Sequence, residues 1–218
     1  MNILVFSDTH LNLPFEEKKF NFLKDLINKS DKVIINGDFW EGYFISFKQF
    51  LDSPWKNLFH LLKQKQAVYI FGNHDRERFS TEEISAFSTI QTNKYSLKFQ
   101  DKTYIFEHGN RIVPLENGDV AVSGKPNIMT QIADQIEKYI IKTGGALYQK
   151  GLYHYNKQIK EKIRLELKYN EIFVCGHTHC AEVDEKNKFI NTGIIKHGLA
   201  QYMFITNGAA IPKQERYL

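Results

Sequence analysis

Cysteine is scarce in this chain, and long apolar runs are missing from it. The two cysteines, Cys175 and Cys180, flank one short polar segment, and no further cysteine is present to complete a thiolate metal site. No segment reaches the roughly 18 consecutive apolar residues of a membrane-spanning helix. These absences argue against a cysteine-ligated metal centre and a membrane span, and a disulfide between the two cysteines is not expected.

A strong charge of one sign is also absent. The net charge of +4 over 218 residues mildly favours anionic substrates and is too small to indicate nucleic-acid binding. The apolar start at residues 1–6 is too short for the core of a signal peptide, so a cytoplasmic location is expected. The length and the hydrophobic fraction of 42% favour a single globular domain spanning residues 1–218.

The first half of the chain alternates short apolar runs with amphipathic stretches. Three runs predict buried strands, at residues 3–6, 33–35 and 68–71. Between them, residues 15–29 and 47–66 repeat apolar side chains at helical spacing, and Pro54 is expected to interrupt the second helix. Alternating strands and helices predict βαβ units and a parallel sheet.

The second half of the chain changes this pattern. Residues 95–99 and 103–106 flank a short polar turn and predict an antiparallel hairpin. Further short strands are predicted at residues 172–175, 189–190 and 202–205. The expected fold class is therefore α/β, with two packed mixed β-sheets flanked by helices.

A helical insertion is predicted at about residues 125–170. Residues 128–141 and 156–167 have a helical pattern, and the segment from 125 to 169 contains nine Lys or Arg residues against four Asp or Glu residues. Two interpretations remain open. The segment is either a helical layer with a solvated basic face or a cap that holds an anionic substrate.

Side chains that ligate metals follow the predicted strands, at the point where each strand ends. They are Asp8 and His10 after the first strand, Asp38 after the second, Asn73, His74 and Asp75 after the third, His108 after the hairpin, and His177 and His179 after residues 172–175. Ligands bind beyond the carboxyl ends of strands in an open α/β sheet. This inventory is sufficient for two divalent metals that share one carboxylate.

The ordered set Asp-x-His, Gly-Asp, Gly-Asn-His-Asp, His and Gly-His-x-His resembles the calcineurin-like metallophosphoesterase superfamily over residues 8–179. The resemblance implies a four-layer α/β-sandwich with a dimetal site at one edge, and it assigns roles. One metal would be held by Asp8, His10, Asp38 and His179, and the other by Asp38, Asn73, His108 and His177. Asp38 would bridge the two metals, and His74 would be the outer-sphere acid that Asp75 orients.

The donor set indicates which metals fit. Carboxylate, amide and imidazole ligands without thiolate favour two divalent ions, with Mn as the first expectation and Fe, Zn, Co or Ni as alternatives. A water that bridges the two metals would lose a proton near neutral pH, and the hydroxide would attack phosphorus in line. His74 would protonate the leaving oxygen. The expected activity is dinuclear-metal-dependent hydrolysis of a phosphoester.

The substrate is less well determined. Within the superfamily the chain is most similar to the UDP-2,3-diacylglucosamine hydrolase branch, through Gly-Asp-Phe-Trp-Glu at residues 37–41, the helical insertion and Asn-Thr-Gly at residues 191–193. It departs from that branch at His74, where the branch usually has Arg, and at Asn110, where the branch usually has Asp. The expected substrate is a small phosphomonoester, phosphodiester or nucleotide-linked pyrophosphate, with UDP-2,3-diacylglucosamine of lipid A synthesis as the alternative.

Candidate substrate contacts lie close to the motifs. They are Arg76, Arg78 and Arg111, whose guanidinium groups pair well with phosphate, and Asn191. Two less favoured alternatives remain. The basic insertion keeps a nuclease open, and a nuclease would show strongly salt-dependent binding. The loss of a motif residue would signal a non-catalytic metal-binding scaffold, and none is lost. A small-molecule substrate is therefore the expected partner, with peripheral membrane contact only if that substrate is a lipid. The oligomeric state is left open.

Overall fold

The computed structural model of the protein describes residues 1–115, 128–144 and 149–217. These residues form two β-sheets with α-helices packed around them. The helices are α1 (Glu17–Asn28), α2 (Phe47–Asp52), α3 (Phe59–Gln64), α4 (Ile128–Gly144) and α5 (Tyr153–Ile163). The strands are β1 (Asn2–Phe6), β2 (Lys32–Asn36), β3 (Val68–Ile70), β4 (Ile90–Thr92), β5 (Tyr95–Phe99), β6 (Lys102–Phe106), β7 (Glu171–Cys175), β8 (Glu182–Asp184), β9 (Phe189–Asn191), β10 (Ile195–Lys196), β11 (Leu199–Thr206) and β12 (Ala209–Arg216).

The first sheet has the strand order β10-β11-β1-β2-β3-β4, and β12 also pairs with β11. Strands β1 to β4 run parallel, because helices cross over between the first three, whereas β11 is antiparallel to β1. Side chains of β1 alternate between the two faces of this sheet. Leu4 and Phe6 pack with the helices, and Ile3 and Val5 pack toward the second sheet.

The second sheet has the order β5-β6-β7-β9-β8. The predicted hairpin is confirmed, since β5 and β6 pair antiparallel with Tyr95 opposite Phe106. Strands β6, β7 and β9 run parallel, and β8 closes the edge antiparallel to β9. The carboxyl ends of β6 and β7 therefore lie side by side, as do those of β1, β2 and β3 in the first sheet.

Four layers result from this arrangement. Helices α1 to α3 cover one sheet, and α5 covers the other through Ile159 and Ile163, which pack on Phe173 and Phe189. Between the sheets lies a closed apolar layer that includes Val174. Each large apolar side chain that is fully buried in such a layer contributes about 1.5–3 kcal/mol. The predicted α/β-sandwich of two mixed sheets flanked by helices is confirmed.

The second predicted helix, at residues 47–66, is divided in the structure. Helix α2 ends at Asp52, a 3-10 turn spans Pro54–Leu58, and α3 follows directly. The predicted interruption at Pro54 is confirmed, because proline lacks the N–H that a continuous helix needs. The side chain of Ser53 accepts a hydrogen bond from the backbone N–H of Trp55 and so begins the new turn.

The predicted insertion at about residues 125–170 contains α4 and α5, although residues 125–127 and 145–148 lie outside the described part of the chain. One of its basic residues, Lys160, holds α5 to the neighbouring strand. Its ammonium group pairs with Glu182 at 2.6 Å and with Asp184 at 2.8 Å. Among the described residues, no helix is both long enough and apolar enough to cross a membrane.

Candidate metal centre

Two groups of ligand atoms lie at the carboxyl edge of the two sheets. In the first group, Nε2 of His179 lies 3.4 Å from Oδ1 of Asp8, and Nε2 of His10 lies 4.0 Å from the same oxygen. The two ring nitrogens of His10 and His179 are 3.2 Å apart. Three side chains from widely separated parts of the chain thus surround one point.

The second group contains Asp38, His108 and His177, whose ligand atoms lie within 4.8 Å of one another. Nε2 of His108 is 3.1 Å from Oδ2 of Asp38 and 3.2 Å from Oδ1 of Asn73. All seven predicted metal ligands are therefore brought together in the two groups: Asp8, His10, Asp38, Asn73, His108, His177 and His179.

Asp38 lies between the two groups. Its Oδ2 is 3.1 Å from Nε2 of His108 in one group and 4.0 Å from Nε2 of His10 in the other. Its second oxygen accepts a hydrogen bond of 2.8 Å from the backbone N–H of His74, which fixes the carboxylate. Oδ1 of Asp8 also comes close to both groups, at 4.0 Å from Nε2 of His10 and 3.9 Å from Nε2 of His108. The distances therefore fit either carboxylate as one that two cations share, and the sharing by Asp38 stays a prediction.

The backbone at the site is unusual. Five of the candidate ligands have positive φ angles between 45° and 66°, a region that side chains other than glycine seldom adopt: Asp8, His10, Asp38, His177 and His179. Such conformations cluster at functional sites, where the surrounding structure holds them. The sharp turns after the strands aim these side chains inward.

Glycines next to the ligands allow a close approach of the backbone. A Cβ atom at Gly72 would lie 2.1 Å from Oδ1 of Asp38, and one at Gly176 would lie 2.2 Å from Oδ2 of Asp8. Any larger residue at either position would displace a carboxylate of the site. The Gly-Asn-His-Asp and Gly-His-x-His motifs therefore need glycine for steric reasons.

Main-chain carbonyl groups set the ring orientation of two histidines. Nδ1 of His108 donates to the carbonyl oxygen of Asn36 at 2.9 Å, and Nε2 of His177 donates to that of Val113 at 2.8 Å. The remaining nitrogens, Nε2 of His108 and Nδ1 of His177, are then available to a metal. Fixing the tautomer in this way is characteristic of metal-binding histidines.

The carboxylates create a strongly negative potential. Burial by itself would lower the pKa of His108, but Asp38 and Asp8 outweigh burial and raise that pKa to about 9. Burial is also outweighed at His179, where Glu137 and Asp8 raise the pKa to about 10. At these two imidazoles the carboxylates stabilise positive charge, and a metal cation supplies such charge. At His177, by contrast, burial and the nearby His108 lower the pKa to about 4.

His74 lies at the edge of the two groups, with its side chain 19% exposed and Nε2 4.0 Å from Oδ2 of Asp38. Its Nδ1 donates to Oε1 of Glu41 at 2.7 Å, and Oε2 of Glu41 accepts from Nδ1 of His10 at 2.8 Å. The ring of Tyr43 packs on the imidazole with centroids 4.2 Å apart. Nδ1 of His74 is therefore held by Glu41, and Nε2 lies on the side of the ring that is near Asp38.

The structure corrects the expectation that Asp75 orients His74. The carboxylate of Asp75 accepts from the backbone N–H groups of Asp38, Phe39 and Gly72, at 3.1, 2.6 and 2.7 Å. It thus joins two ligand-bearing loops, and Glu41 takes the orienting position that the sequence analysis expected for Asp75. Burial and the nearby charge of Asp38 raise the pKa of Asp75 to about 6.

A family model for calcineurin-like phosphoesterases matches residues 1–181 of the chain, which include every one of these ligands. The protein belongs to the calcineurin-like phosphoesterase family. It is a metal-dependent phosphoesterase, as the resemblance in the sequence implied. The assignment of each ligand to a metal remains a prediction.

Solved structures share the fold of this phosphoesterase. A novel archaeal phosphodiesterase aligns with a TM-score of 0.52 and 17% sequence identity, over 99% of each chain. Yfce, a phosphoesterase from E. coli, aligns with a TM-score of 0.50 and 14% identity, over 100% of each chain. Identities this low establish the fold alone. No curated protein sequence matches the chain significantly.

The three candidate arginines of the phosphoesterase line a different cleft. Arg76, Arg78 and Arg111 surround a space of about 1080 Å³ beside the site. The guanidinium group of Arg111 pairs with Glu107 at 2.7 Å and with Glu166 at 3.1 Å. The structure therefore does not place Arg111 on the metal ligands, because two carboxylates already hold it.

The role predicted for Asn191, a contact with the substrate, is also corrected. Its side chain is buried and donates to the carbonyl oxygen of Gly176 at 2.8 Å and to Thr178 at 2.9 Å, while its oxygen accepts from the N–H of Gly193. Asn156 of α5 accepts from the same amide and from Thr178, at 3.0 and 2.6 Å. Both asparagines hold the loop that carries His177 and His179, and no sequence motif identifies Asn156.

Helix α4 forms one wall of the cleft that leads to the ligands, which we call the metal-site cleft. This cleft has a volume of about 440 Å³ and combines His74, His177 and His179 with Ile136 and Ile140 of α4. A second cleft, of about 850 Å³, lies beside His10 and contains the basic side chains Lys18, Lys138, Lys142, Lys196 and Arg216. The metal-binding residues are thus reached past an apolar wall.

The donor set fits two divalent cations. It offers carboxylate and amide oxygens with imidazole nitrogens at the distances given above. Both cysteines are buried and form no disulfide, and neither belongs to a ligand group of the described residues. Oxygen and imidazole donors suit Mn, Fe, Zn, Co and Ni. Bound metal would also balance the negative charge that now raises the pKa of His108 and His179.

Proposed function

We propose that this protein hydrolyses a small phosphoester with two divalent metals that share the carboxylate of Asp38. The observation that carries the proposal is the convergence of both ligand groups on two buried carboxylates. Oδ2 of Asp38 lies 3.1 Å from Nε2 of His108 and 4.0 Å from Nε2 of His10, and Oδ1 of Asp8 lies 3.9 and 4.0 Å from the same nitrogens. The family resemblance favours Asp38 as the shared one. Asp8, His10 and His179 would hold one metal. Asn73, His108 and His177 would hold the other.

Bound divalent cations supply a water of lowered pKa and neutralise charge on the phosphoryl oxygens. The side chains supply the remaining chemistry. As the water oxygen bonds to phosphorus, the bond from phosphorus to the leaving oxygen breaks, and that oxygen takes a proton from Nε2 of His74. Glu41 accepts from Nδ1 of His74 at 2.7 Å and stabilises the protonated imidazole.

Mn is the proposed metal, with Fe, Zn, Co and Ni as alternatives. The support is the mixture of hard oxygen donors and borderline imidazole donors without thiolate. Activity assays after removal of metal and reconstitution with each ion in turn would rank them. The ion that gives the highest kcat/KM at equal occupancy is the preferred one.

A second candidate substrate class is favoured by the apolar wall of the metal-site cleft. Ile136, Ile140 and Leu152 line this cleft together with His74 and His179. Such a wall suits a phosphoester that carries an aliphatic chain, and the lipid-linked pyrophosphate UDP-2,3-diacylglucosamine has that chemistry. The departures from that branch at His74 and Asn110 leave the soluble phosphoester as the first proposal.

A substrate panel tests both proposals. Metal-loaded protein would be assayed on aryl phosphomonoesters, bis-aryl phosphodiesters, nucleotide-linked pyrophosphates and the diacyl UDP-glucosamine substrate. Turnover of soluble esters with a higher kcat/KM than the lipid supports the first proposal. A preference for the lipid by tenfold or more supports the second, and metal-loaded protein without turnover on any substrate contradicts both.

A further inference from the structure

Glu137 of helix α4 touches a candidate metal ligand directly. Its Oε1 accepts from Nδ1 of His179 at 2.8 Å, while Nε2 of the same imidazole lies 3.4 Å from Oδ1 of Asp8. The carboxylate therefore holds one side of the ring and leaves the other side facing the first ligand group. Glu137 lies on the inserted helix, far in sequence from all the motifs.

Lys196 anchors this carboxylate to the sheet. Its Nζ lies 2.7 Å from Oε2 of Glu137 and 2.7 Å from Oδ1 of Asp134, one turn earlier on α4. The side chain of Lys196 is only 11% exposed, and β10, to which it belongs, is part of the first sheet. The ammonium group of Lys196 therefore already supplies a positive charge to both acids.

The two ligand groups are supported in different ways. In the first, Glu41 accepts from Nδ1 of His10 at 2.8 Å and Glu137 accepts from Nδ1 of His179 at 2.8 Å. In the second, main-chain carbonyl oxygens accept from His108 and His177. Loss of a supporting carboxylate should therefore weaken the first group and spare the second.

We propose that Glu137 is a positioning residue for His179, so that docking of α4 completes the first of the two metal sites. This inference rests on the proposed function, since it assigns His179 to a metal. A carboxylate behind a ligating imidazole fixes its tautomer and orientation and makes it more basic, and loss of such a partner typically costs 10- to 100-fold in metal affinity. The inserted helix would then contribute to metal binding as well as to the wall of the metal-site cleft.

A cobalt titration of metal-free full-length protein tests the proposal, because the visible absorption of Co²⁺ reports its ligands. The variants are Glu137→Ala and Glu137→Gln, with Asp134→Asn as the matched control. Asp134 lies on the same helix and binds the same Lys196 ammonium, but its contacts described in the structure are with Lys196 and His197 rather than His179. His179→Asn and His108→Asn identify which binding step belongs to which site.

We expect Glu137→Ala to raise the dissociation constant of the His179-dependent step about 10- to 100-fold, with the other step within about threefold of wild type. Glu137→Gln should have a smaller effect, because its amide oxygen still accepts the hydrogen bond. Asp134→Asn should leave both steps near wild type. Circular dichroism and thermal unfolding of each variant would establish that it folds.

Three other results would contradict the proposal or the function on which it rests. Wild-type affinity for both ions in Glu137→Ala overturns the proposal, and so does an equal loss in Glu137→Ala and Asp134→Asn, which would mean that α4 merely detaches. In both cases two ions still bind the wild type, and the proposed function stands. A wild type that binds no Co²⁺ would instead refute the proposed function, and this inference with it.

Discussion

Glu41 and His74 form a direct hydrogen bond of 2.7 Å at the edge of the metal-binding groups. The same carboxylate also accepts from His10, so the proposed acid and a proposed metal ligand share one support. Burial by itself would raise the pKa of Glu41, but His74 and His10 outweigh burial and hold it well below its usual range. Glu41 is therefore an anion that favours a protonated His74.

His74→Ala should retain its metals and lose turnover, because His74 gives a proton and is no ligand. We expect kcat to fall about 10²- to 10⁴-fold for esters with alkyl leaving groups. The fall should be much smaller for p-nitrophenyl esters, whose leaving oxygen needs no proton. The measurement is kcat for both ester types with metal analysis of the same sample. An equal fall for both types, or a metal-free variant, would refute the assignment.

Gly72→Ala should damage the site without removing any ligand. The added Cβ would lie 2.1 Å from Oδ1 of Asp38 and 2.6 Å from its backbone nitrogen, so the shared carboxylate must move. A displacement of about 1 Å at a reacting centre costs up to about 10²-fold in rate. Gly151→Ala is the control, because nothing lies within 4 Å of its added Cβ. Normal metal content and rate in Gly72→Ala would contradict the geometry.

Ile140→Gln tests the apolar wall of the metal-site cleft. If an aliphatic chain of the substrate packs there, KM for long-chain phosphodiesters should rise about tenfold, since one such contact contributes about 1–2 kcal/mol. KM for short-chain esters should stay unchanged. Ile132→Gln is matched to it, since Ile132 is 48% exposed, Ile140 is 40% exposed, and both belong to α4. Ile132 does not line the metal-site cleft, and a similar rise in both variants would argue against a chain-binding wall.

Lys19 should make stability depend on pH. The side chain is fully buried, donates to the carbonyl oxygen of Thr9, and burial lowers its pKa from 10.5 to about 8. Between pH 8 and 10.5 the lysine therefore binds more protons in the unfolded chain than in the folded one, and the contribution of Lys19 to the free energy of unfolding rises with pH.

Lys19→Met removes this titration. The free energy of unfolding of the wild type, minus that of the variant, should rise by about 3 kcal/mol between pH 7.5 and 10.5. Below about pH 7 the difference should be flat. Urea unfolding at several pH values measures it, and a difference that is constant or falls with pH would show that Lys19 is not buried as a cation.

The sequence was sufficient to predict most of the fold, because apolar residues recur at regular spacing in amphipathic helices and form continuous runs in buried strands. Strands such as β1 and the hairpin of β5 and β6 follow directly from their apolar patterns. Strand β12 was not predicted, since its sequence, with Pro212, carries little apolar pattern. It forms because β11 offers a long edge for pairing, which is a tertiary effect.

The predicted ligands converge because each directly follows a strand. The supporting role of the two carboxylates was missed for a physical reason. Glu137 belongs to no motif, and Glu41 appears only as the last residue of the Gly-Asp-Phe-Trp-Glu segment. Both act through the approach of other elements. Glu41 lies three residues after Asp38, and that spacing was the available signal. Asn191 was assigned to the substrate although its amide binds the loop at Gly176. Local sequence does not distinguish these two uses of a polar side chain.

Anomalous diffraction from crystals of the Mn-loaded protein tests the central claim most directly. The account predicts two peaks about 3.5–4 Å apart on either side of the Asp38 carboxylate. One peak should lie beside Asp8, His10 and His179, and the other beside His108 and His177. A single peak, or peaks that Asp38 does not contact, would contradict the claim that this carboxylate joins two metal sites.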